Sequence, residues 1–468
     1  MIDLRRPAQR NFGEGLIEEE TASLWEPWMR QADQVLEDEQ LVQAIYEALL
    51  KRRPKSRTRG RLGIPAEIVL RMLLLKHIRN WSFAETVREI RANLVYREFT
   101  RIGAAKVPDD KTLGRQARAL SPEVIENIHR RVVALAMEHK IVQGRKMRVD
   151  TTVVETNIHY PTDSSLLGDG NRVLTRLMKR VMAITGEAGE KLRNRMRSVQ
   201  RRVAEIARAS RAKGDKFKEK VPPLYRKLLD ITGRVTGQAK RFCAEIASGV
   251  KRSADVLKQA ALEGLKREMD EMRETVKKVV HQAKARIFGG DTHVEGKVVS
   301  VFETSTEVIR KGKASKPTEF GKMVKIQEAE HQIVIDYEVF DRKPSDSDLL
   351  IPSIETHQER TGRTPDLAAA DAGFYSAKNI AEAEEMGVKR VSVPNRSTRS
   401  EARKKLQKTR WFKKGQKWRT GCEGRISLLK RRHGLRRSFY RKEAGMKRWV
   451  GLGVIADNLI NLGKALAK

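Results

Sequence analysis

The chain has 468 residues, with 96 Lys and Arg against 60 Asp and Glu, giving a net charge of +36. No apolar run approaches the ~20 residues a spanning helix needs, so a membrane-spanning chain is not expected. Cys243 and Cys422 are the two cysteines, and neither has a Cys or His partner at ligand spacing; this argues against a zinc module and fits a reducing cytoplasm.

The start at Met1-Ile2-Asp3-Leu4 leads into a polar, Pro-containing stretch rather than an apolar leader, so a cytoplasmic location is expected. Residues 1–60 read as a helical lead-in, with Trp25 and Trp28 beside a helix over Ala32–Leu50 and a basic linker at Lys51-Arg52-Arg53-Pro54-Lys55. Pro65 opens a helix through Ile68, Leu70, Met72, Leu73 and His77. After the turn at Asn80-Trp81, Ser82 stands three residues before Glu85, the spacing of a capping box. The pair is helix–turn–helix-like, a geometry that many helical hairpins share. Further helices are expected over Lys111–Leu120 and from Pro122 to His139.

The apolar period then changes. Met147, Val149, Val153 and Val154 suit a strand carrying Asp150. Residues 171–287 return to helical spacing, with breaks expected at Gly186 and Gly189, Gly214, Pro222-Pro223, Gly233 and Gly249. Strands are expected at Lys297–Phe302, Met323–Ile326 and Gln332–Phe340, then a helix over Asp346–Arg360. The run Leu367-Ala368-Ala369-Ala370 ends in Asp371 and the turn Ala372-Gly373. A helix over Ala377–Met386, a strand at Val388–Val393 and helices from Lys417 to Lys468 complete the pass. The last apolar stretch, Trp449–Leu466, should pack on the core.

Charge is unevenly spread. Residues 171–290 hold 31 basic and 13 acidic residues, and 396–448 hold 21 and 3, so each carries +18 and the remainder sums to zero. Confined charge of this kind suits two phosphate-binding surfaces. Three acids stand out against it: Asp150 in its strand, Asp371 at a strand end, and Glu423 inside the most basic stretch. Carboxylates surrounded by cationic surface suit a polyanionic substrate, with divalent cations supplying the central charge.

Three stretches carry a family resemblance. They are Val149-Asp150-Thr151-Thr152-Val153-Val154-Glu155-Thr156-Asn157-Ile158-His159-Tyr160-Pro161-Thr162-Asp163, then Ile309–Lys313 with Glu319-Phe320-Gly321, and Ala370-Asp371-Ala372-Gly373-Phe374-Tyr375. The helices before them, with Pro108-Asp109-Asp110-Lys111-Thr112-Leu113, add to it. The chain resembles a bacterial insertion-sequence transposase of the DDE type, closest to the group described as "not classified yet". Many members of that group carry a Y-R-E-K signature in one helix; Arg419, Glu423 and Lys430 fall at the R, E and K spacings, and Gln416 stands at the Y position.

The resemblance implies an α/β fold: a ribonuclease H-like mixed sheet flanked by helices, with an all-helical N-terminal domain and a large helical insertion. The expected division is a lead-in over 1–60, a helical DNA-binding domain over 61–140, and a catalytic core over 141–170 and 288–448. A basic helical insertion covers 171–287 and a helix packed on the core covers 449–468.

Asp150, Asp371 and Glu423 would be catalytic and hold two Mg²⁺ ions, with Mn²⁺ able to substitute. Glu155, Asp163 and Glu443 are rival acids, Asp163 reading better as a helix cap. Arg419, Lys430, Arg431, Arg432, Arg436 and Arg437 would contact nucleic acid. Trp411 and Trp418 suit base stacking or core packing, and His159 and Tyr160 suit positioning.

The implied partners are double-stranded DNA, namely the element's terminal inverted repeats and target DNA, and further copies of the chain in a dimer or larger assembly. The implied activity is cutting at element ends followed by attack of the 3′-OH on target DNA. A metal-dependent nuclease and a non-catalytic DNA-binding descendant are the alternatives.

Overall fold

The computed structural model describes residues 1–6, 19–52, 54–57, 63–211, 215–310 and 318–468. Arg53 of the basic run, the break at Gly214 and the Lys311-Gly312-Lys313 part of the second matching stretch lie outside the described residues. The chain divides into two compact units, Met1–Asn157 with Ile309–Lys468, and Ile158–Val308.

The first unit begins with α1 (Pro27–Val35) and α2 (Glu39–Arg52). These replace the single helix expected over Ala32–Leu50. Leu36 closes α1, and the Asp38 carboxylate accepts from the Leu41 N–H at the start of α2. Next comes α3 (Ala66–Arg79), opened by Pro65 and closed by Asn80 in the left-handed region. The Ser82–Glu85 capping box forms with both of its hydrogen bonds at the head of α4 (Phe83–Ala92). The short α5 (Leu94–Phe99) was not expected; Asn93 caps it. Then α6 (Asp110–Ala119) and α7 (Pro122–Glu138) lead to strand β1 (Lys146–Thr156).

The second unit is helical: α8 (Asp163–Thr185), α9 (Met196–Ala209), α10 (Asp215–Ala247) and α11 (Val256–Gly289). Thr162 caps α8, one residue before the expected Asp163; Asp163 instead accepts from Gln282 and pairs with Arg286. The breaks expected at Pro222-Pro223 and Gly233 do not occur, because α10 runs through them. Each proline costs about 3 kcal/mol inside a helix. Val221, Tyr225 and Leu228 beside them are fully buried, at roughly 1.5–3 kcal/mol each, which offsets that cost. The strand expected at Lys297–Phe302 is also absent. There the Gln282 amide takes the place of a partner strand, accepting from Val298 N–H and donating to Val298 C=O.

The boundary after Val308 falls within β2 (Glu307–Arg310), and the first unit goes on through β3 (Thr318–Glu328), β4 (Val334–Val339), α12 (Leu350–Thr361), β5 (Leu367–Ala369), α13 (Ala377–Glu385) and β6 (Arg390–Ser392). Then come α14 (Glu401–Lys408), α15 (Arg410–Arg432), β7 (Arg437–Ser438) and α16 (Lys442–Leu466). Among the described residues the strands form one sheet in the order β2-β3-β1-β5-β6, with β4 on β3 and β7 on β1. β1 runs antiparallel to β3 and parallel to β5 and β7.

This is the mixed sheet flanked by helices that the resemblance implies. One side buries Met147, Val149, Ile354, Ala368 and Val391. Across β3 and β4, α16 packs Val450 and Val454, and its far face joins the core of α1–α7 through Leu452, Ile455 and Leu459. Asn458 of α16 pairs with both backbone groups of Val334, closing part of the β4 edge.

Candidate active site

Alternation along β1 decides which way each side chain faces. Met147 and Val149 enter the core under α12. Arg148 and Asp150 therefore face the other side, where α15 crosses the sheet. Arg148 reaches the Trp418 carbonyl of α15 at 2.5 Å and Glu328 of β3 at 2.6 Å. Asp150 is 14 % exposed, and its carboxylate lies 3.5 Å from Arg419 Nη1. The other arm of that guanidinium meets Glu423 Oε1 at 2.5 Å. One arginine thus sits between two of the three sequence-selected acids.

The helix that carries Glu423 is held from beneath by a buried ionic cluster. Arg425 pairs with Asp457 of α16 at 2.8 Å and faces Glu328 at 3.8 Å. Burial pushes the Glu328 carboxyl up, with Arg148 pulling it back. Cys422 is fully buried beside Glu328 and points at the Ile326 carbonyl. Burial, with Glu328 next in effect, holds its thiol far above the usual range, so it is a packing group rather than a ligand. With Cys422 and Arg425 facing inward, Glu423 is left on the open side, 57 % exposed.

Asp371 arrives from the neighbouring strand. The parallel register pairs Arg148 with Ala369; continued by two residues, it sets Asp371 level with Asp150. Asp371 caps a single 3-10 turn, Ala372–Phe374, accepting from the Gly373 N–H at 2.8 Å. Two further groups to which sequence reasoning gave no role stand beside it. Thr151 donates to Asp346 at 3.0 Å. Asp346 Oδ2 and Asp371 Oδ1 also lie 3.2 and 3.1 Å from the point where a Cβ on Gly373 would sit. Asp346 is thus a fourth carboxylate close to Asp371. It appeared in the sequence only as the start of a helix.

The second is Gln416, which the sequence sets at the Y position of the signature. Its amide nitrogen donates to the carbonyls of Ala370 and Ser392, at 3.2 and 2.5 Å. Gln416 thus ties α15 to the ends of β5 and β6, one residue before Asp371. Gln416, Arg419 and Glu423 follow one another at helical spacing on one face.

The remaining sequence candidates scatter. Arg431, Arg432, Arg436 and Arg437 are exposed after the triad stretch, and Lys430 is half-buried on α15. Arg437 pairs with Glu155 at 2.8 Å, and Glu443 pairs with Lys447 on α16. Trp418 lies under the Arg148 guanidinium, and Trp411 packs edge-on to Phe412. His159 and Tyr160, both exposed, belong to the helical unit.

Asp150, Asp371 and Glu423 are all hard oxygen donors, the set that suits a divalent cation such as Mg²⁺. The guanidinium between two of them already marks that space as one that needs positive charge. Among the described residues no three His, Cys, Asp or Glu side chains are drawn into a single metal cluster.

Comparison with known families gives two matches. Residues 26–118 match a model described as a transposase domain, and residues 292–459 match one described as a transposase DDE domain. Asp371 and Glu423 fall inside the second stretch, and Asp150 falls between the two. No curated protein and no solved structure matches the chain.

Proposed function

The chain is an insertion-sequence transposase of the DDE type, and on that premise we propose that Asp150, Asp371 and Glu423 form its catalytic centre for cutting DNA at element ends and joining the freed 3′-OH to target DNA. The observation that carries the reading is the Arg419 bridge between Asp150 and Glu423, with Asp371 on the adjoining parallel strand. Asp150 and Asp371, 221 positions apart in sequence, lie in and just beyond neighbouring parallel strands, and Glu423, 52 positions further on, meets Asp150 through Arg419.

Two Mg²⁺ or Mn²⁺ ions held by these carboxylates would supply activation of the attacking oxygen and stabilisation of the leaving oxygen. Arg419 has a guanidinium fork that matches phosphate oxygens as well as carboxylates, so it can pass from the acids to the scissile phosphate. Lys430 and Arg431, Arg432, Arg436 and Arg437 would carry the neighbouring phosphates. Cutting and joining are both in-line displacements at phosphorus, so one constellation serves both. The helical unit, with its excess of basic residues, would hold DNA or a second copy of the chain, because two element ends must be handled together.

The test is Mg²⁺-dependent joining of a labelled duplex, made from the DNA bordering the coding sequence, to a plasmid. Wild type should cut and join; Asp150→Ala, Asp371→Ala and Glu423→Ala should each lose both steps while still binding the duplex. Cutting without joining of a pre-cut end would point to a nuclease, and binding alone to a non-catalytic descendant.

A further inference from the structure

The cationic stretch around Glu423 is not one surface but two, and they differ in chemistry. On the N-terminal side, the exposed cations of α14 and the first half of α15 are chiefly lysines, Lys404, Lys405, Lys408, Lys413, Lys414 and Lys417, with Arg410 at the head of α15. Lys404 pairs with Glu401 within α14. On the C-terminal side, the exposed cations are chiefly arginines: Arg431, Arg432, Arg436, Arg437 and Arg441. At ~1.5 Å rise per residue, Lys417 and Lys413 lie about 9 and 15 Å along the helix from Glu423, and Arg431 lies about 12 Å the other way.

The aromatic rings divide the same way. On the lysine side Phe412 is buried, Trp411 packs against it and Trp418 lies under Arg148. On the arginine side Phe439 is 63 % exposed, its ring set edge-on against Trp449 at 5.6 Å. Lysine is a hydrated point charge on a flexible stem, suited to phosphates of any sequence. Arginine presents a rigid fork that also reads base edges. An exposed ring adds a contact to bases rather than to phosphate.

We infer that the two surfaces hold different DNA. The arginine surface with Phe439 holds the element end, whose sequence is constant. The lysine surface holds the DNA beyond the cut, which is first the donor flank and then the target, and whose sequence is arbitrary. The inference rests on the transposase reading, and it assigns the two sides of the scissile phosphate to the two sides of Glu423.

Full-length protein carrying K413A/K414A/K417A, and separately K404A/K405A/K408A, would be compared with R431A/R432A/R436A. Three probes are used: a pre-cut element end, the same end with 20 bp of arbitrary flank, and a scrambled duplex. The substituted side chains are exposed, and a thermal melt confirms the fold.

The lysine variants should bind the pre-cut end as wild type does and lose the added affinity that the flank confers. Their log–log salt slope for flanked DNA should fall by about 3, close to one per lysine removed, and joining to plasmid should drop at least tenfold. The arginine variant should lose affinity for the pre-cut end and its preference over the scrambled duplex. Equal loss on pre-cut and flanked DNA in the lysine variants would overturn the division, as would no loss on either. A wild type that neither cuts nor joins would fail the transposase reading itself, whatever the binding pattern.

Discussion

Gly321→Ala tests how closely the strand bearing Asp150 is held. Gly321 stands opposite Glu155 in the antiparallel ladder between β3 and β1. A Cβ there would lie 2.1 Å from the Val154 carbonyl oxygen and 2.9 Å from Glu155 Cα. Both neighbours are backbone, so no rotamer change relieves the clash, and the strands must separate by more than 1 Å to reach the ordinary contact distance of at least 3.4 Å. Overpacking of this kind costs about 1–3 kcal/mol, and losing one or two end rungs of the ladder adds about 1 kcal/mol each. The expected loss is therefore about 2–5 kcal/mol, a large share of the ~5–15 kcal/mol that holds a domain folded. Gly424→Ala is the control in the same unit. It lies inside α15 with nothing within 4 Å of its Cβ position, so alanine should stabilise by up to about 1 kcal/mol. Urea midpoints followed by far-UV circular dichroism would measure both. A Gly321→Ala variant within about 0.5 kcal/mol of wild type would refute the packing argument.

Three further outcomes are expected. Gln416→Met keeps the length of the side chain but removes the donor to Ala370 and Ser392; cutting should slow by about 10- to 100-fold, as a misplaced group does, with duplex affinity unchanged in a binding titration. Arg148→Met should cost up to about 3–5 kcal/mol by leaving buried Glu328 only its longer 3.8 Å contact with Arg425, whereas Arg148→Met with Glu328→Leu should recover most of it, as read from denaturation midpoints. Lys76 is buried with its ammonium 4.6 Å from the Trp449 ring and 5.1 Å from Phe83. Burial lowers its pKa to about 7, with Glu85 opposing. Because that lies below the unfolded value of ~10.4, the unfolded chain holds the extra proton between the two. Stability should rise with pH across that window, by at most about 1.4 kcal/mol per pH unit. Lys76→Met should flatten this slope in melts taken from pH 7 to 10.

The sequence announced those parts of the fold whose causes are local. Ser82 and Glu85 need only each other to form a capping box, and the apolar alternation around Asp150 marks a strand whatever lies beside it. The failures share a different origin. Val298 was expected in a strand because nothing in its neighbourhood reveals Gln282 supplying its hydrogen bonds from another helix. Pro222-Pro223 was read as a break because burial of Val221 and Tyr225 depends on packing. The turn before α2 depends on Asp38, a single polar residue within an otherwise helical pattern. At the proposed site, the three acids stand out in the sequence as carboxylates in a cationic setting. The contacts of Gln416 and Asp346 do not, because they depend on which carbonyl or hydroxyl the fold brings to them.

The order of strands in the sheet also sets an order in time. β1 emerges from the ribosome early, but its neighbours are residues 318–328, 367–369 and 437–438, all translated after the entire helical unit 158–308. The helices of that unit form from nearby sequence, whereas β1 must wait for contacts of long sequence separation. A chain ending at residue 310, which holds the whole helical unit but none of the partner strands of β1, should therefore protect its helices from protease while leaving the Asp150 strand open to cleavage. Until β5 and α15 have been made, Asp371 and Glu423 have no place beside the strand of Asp150, so on the proposed reading of these acids an unfinished copy would be silent.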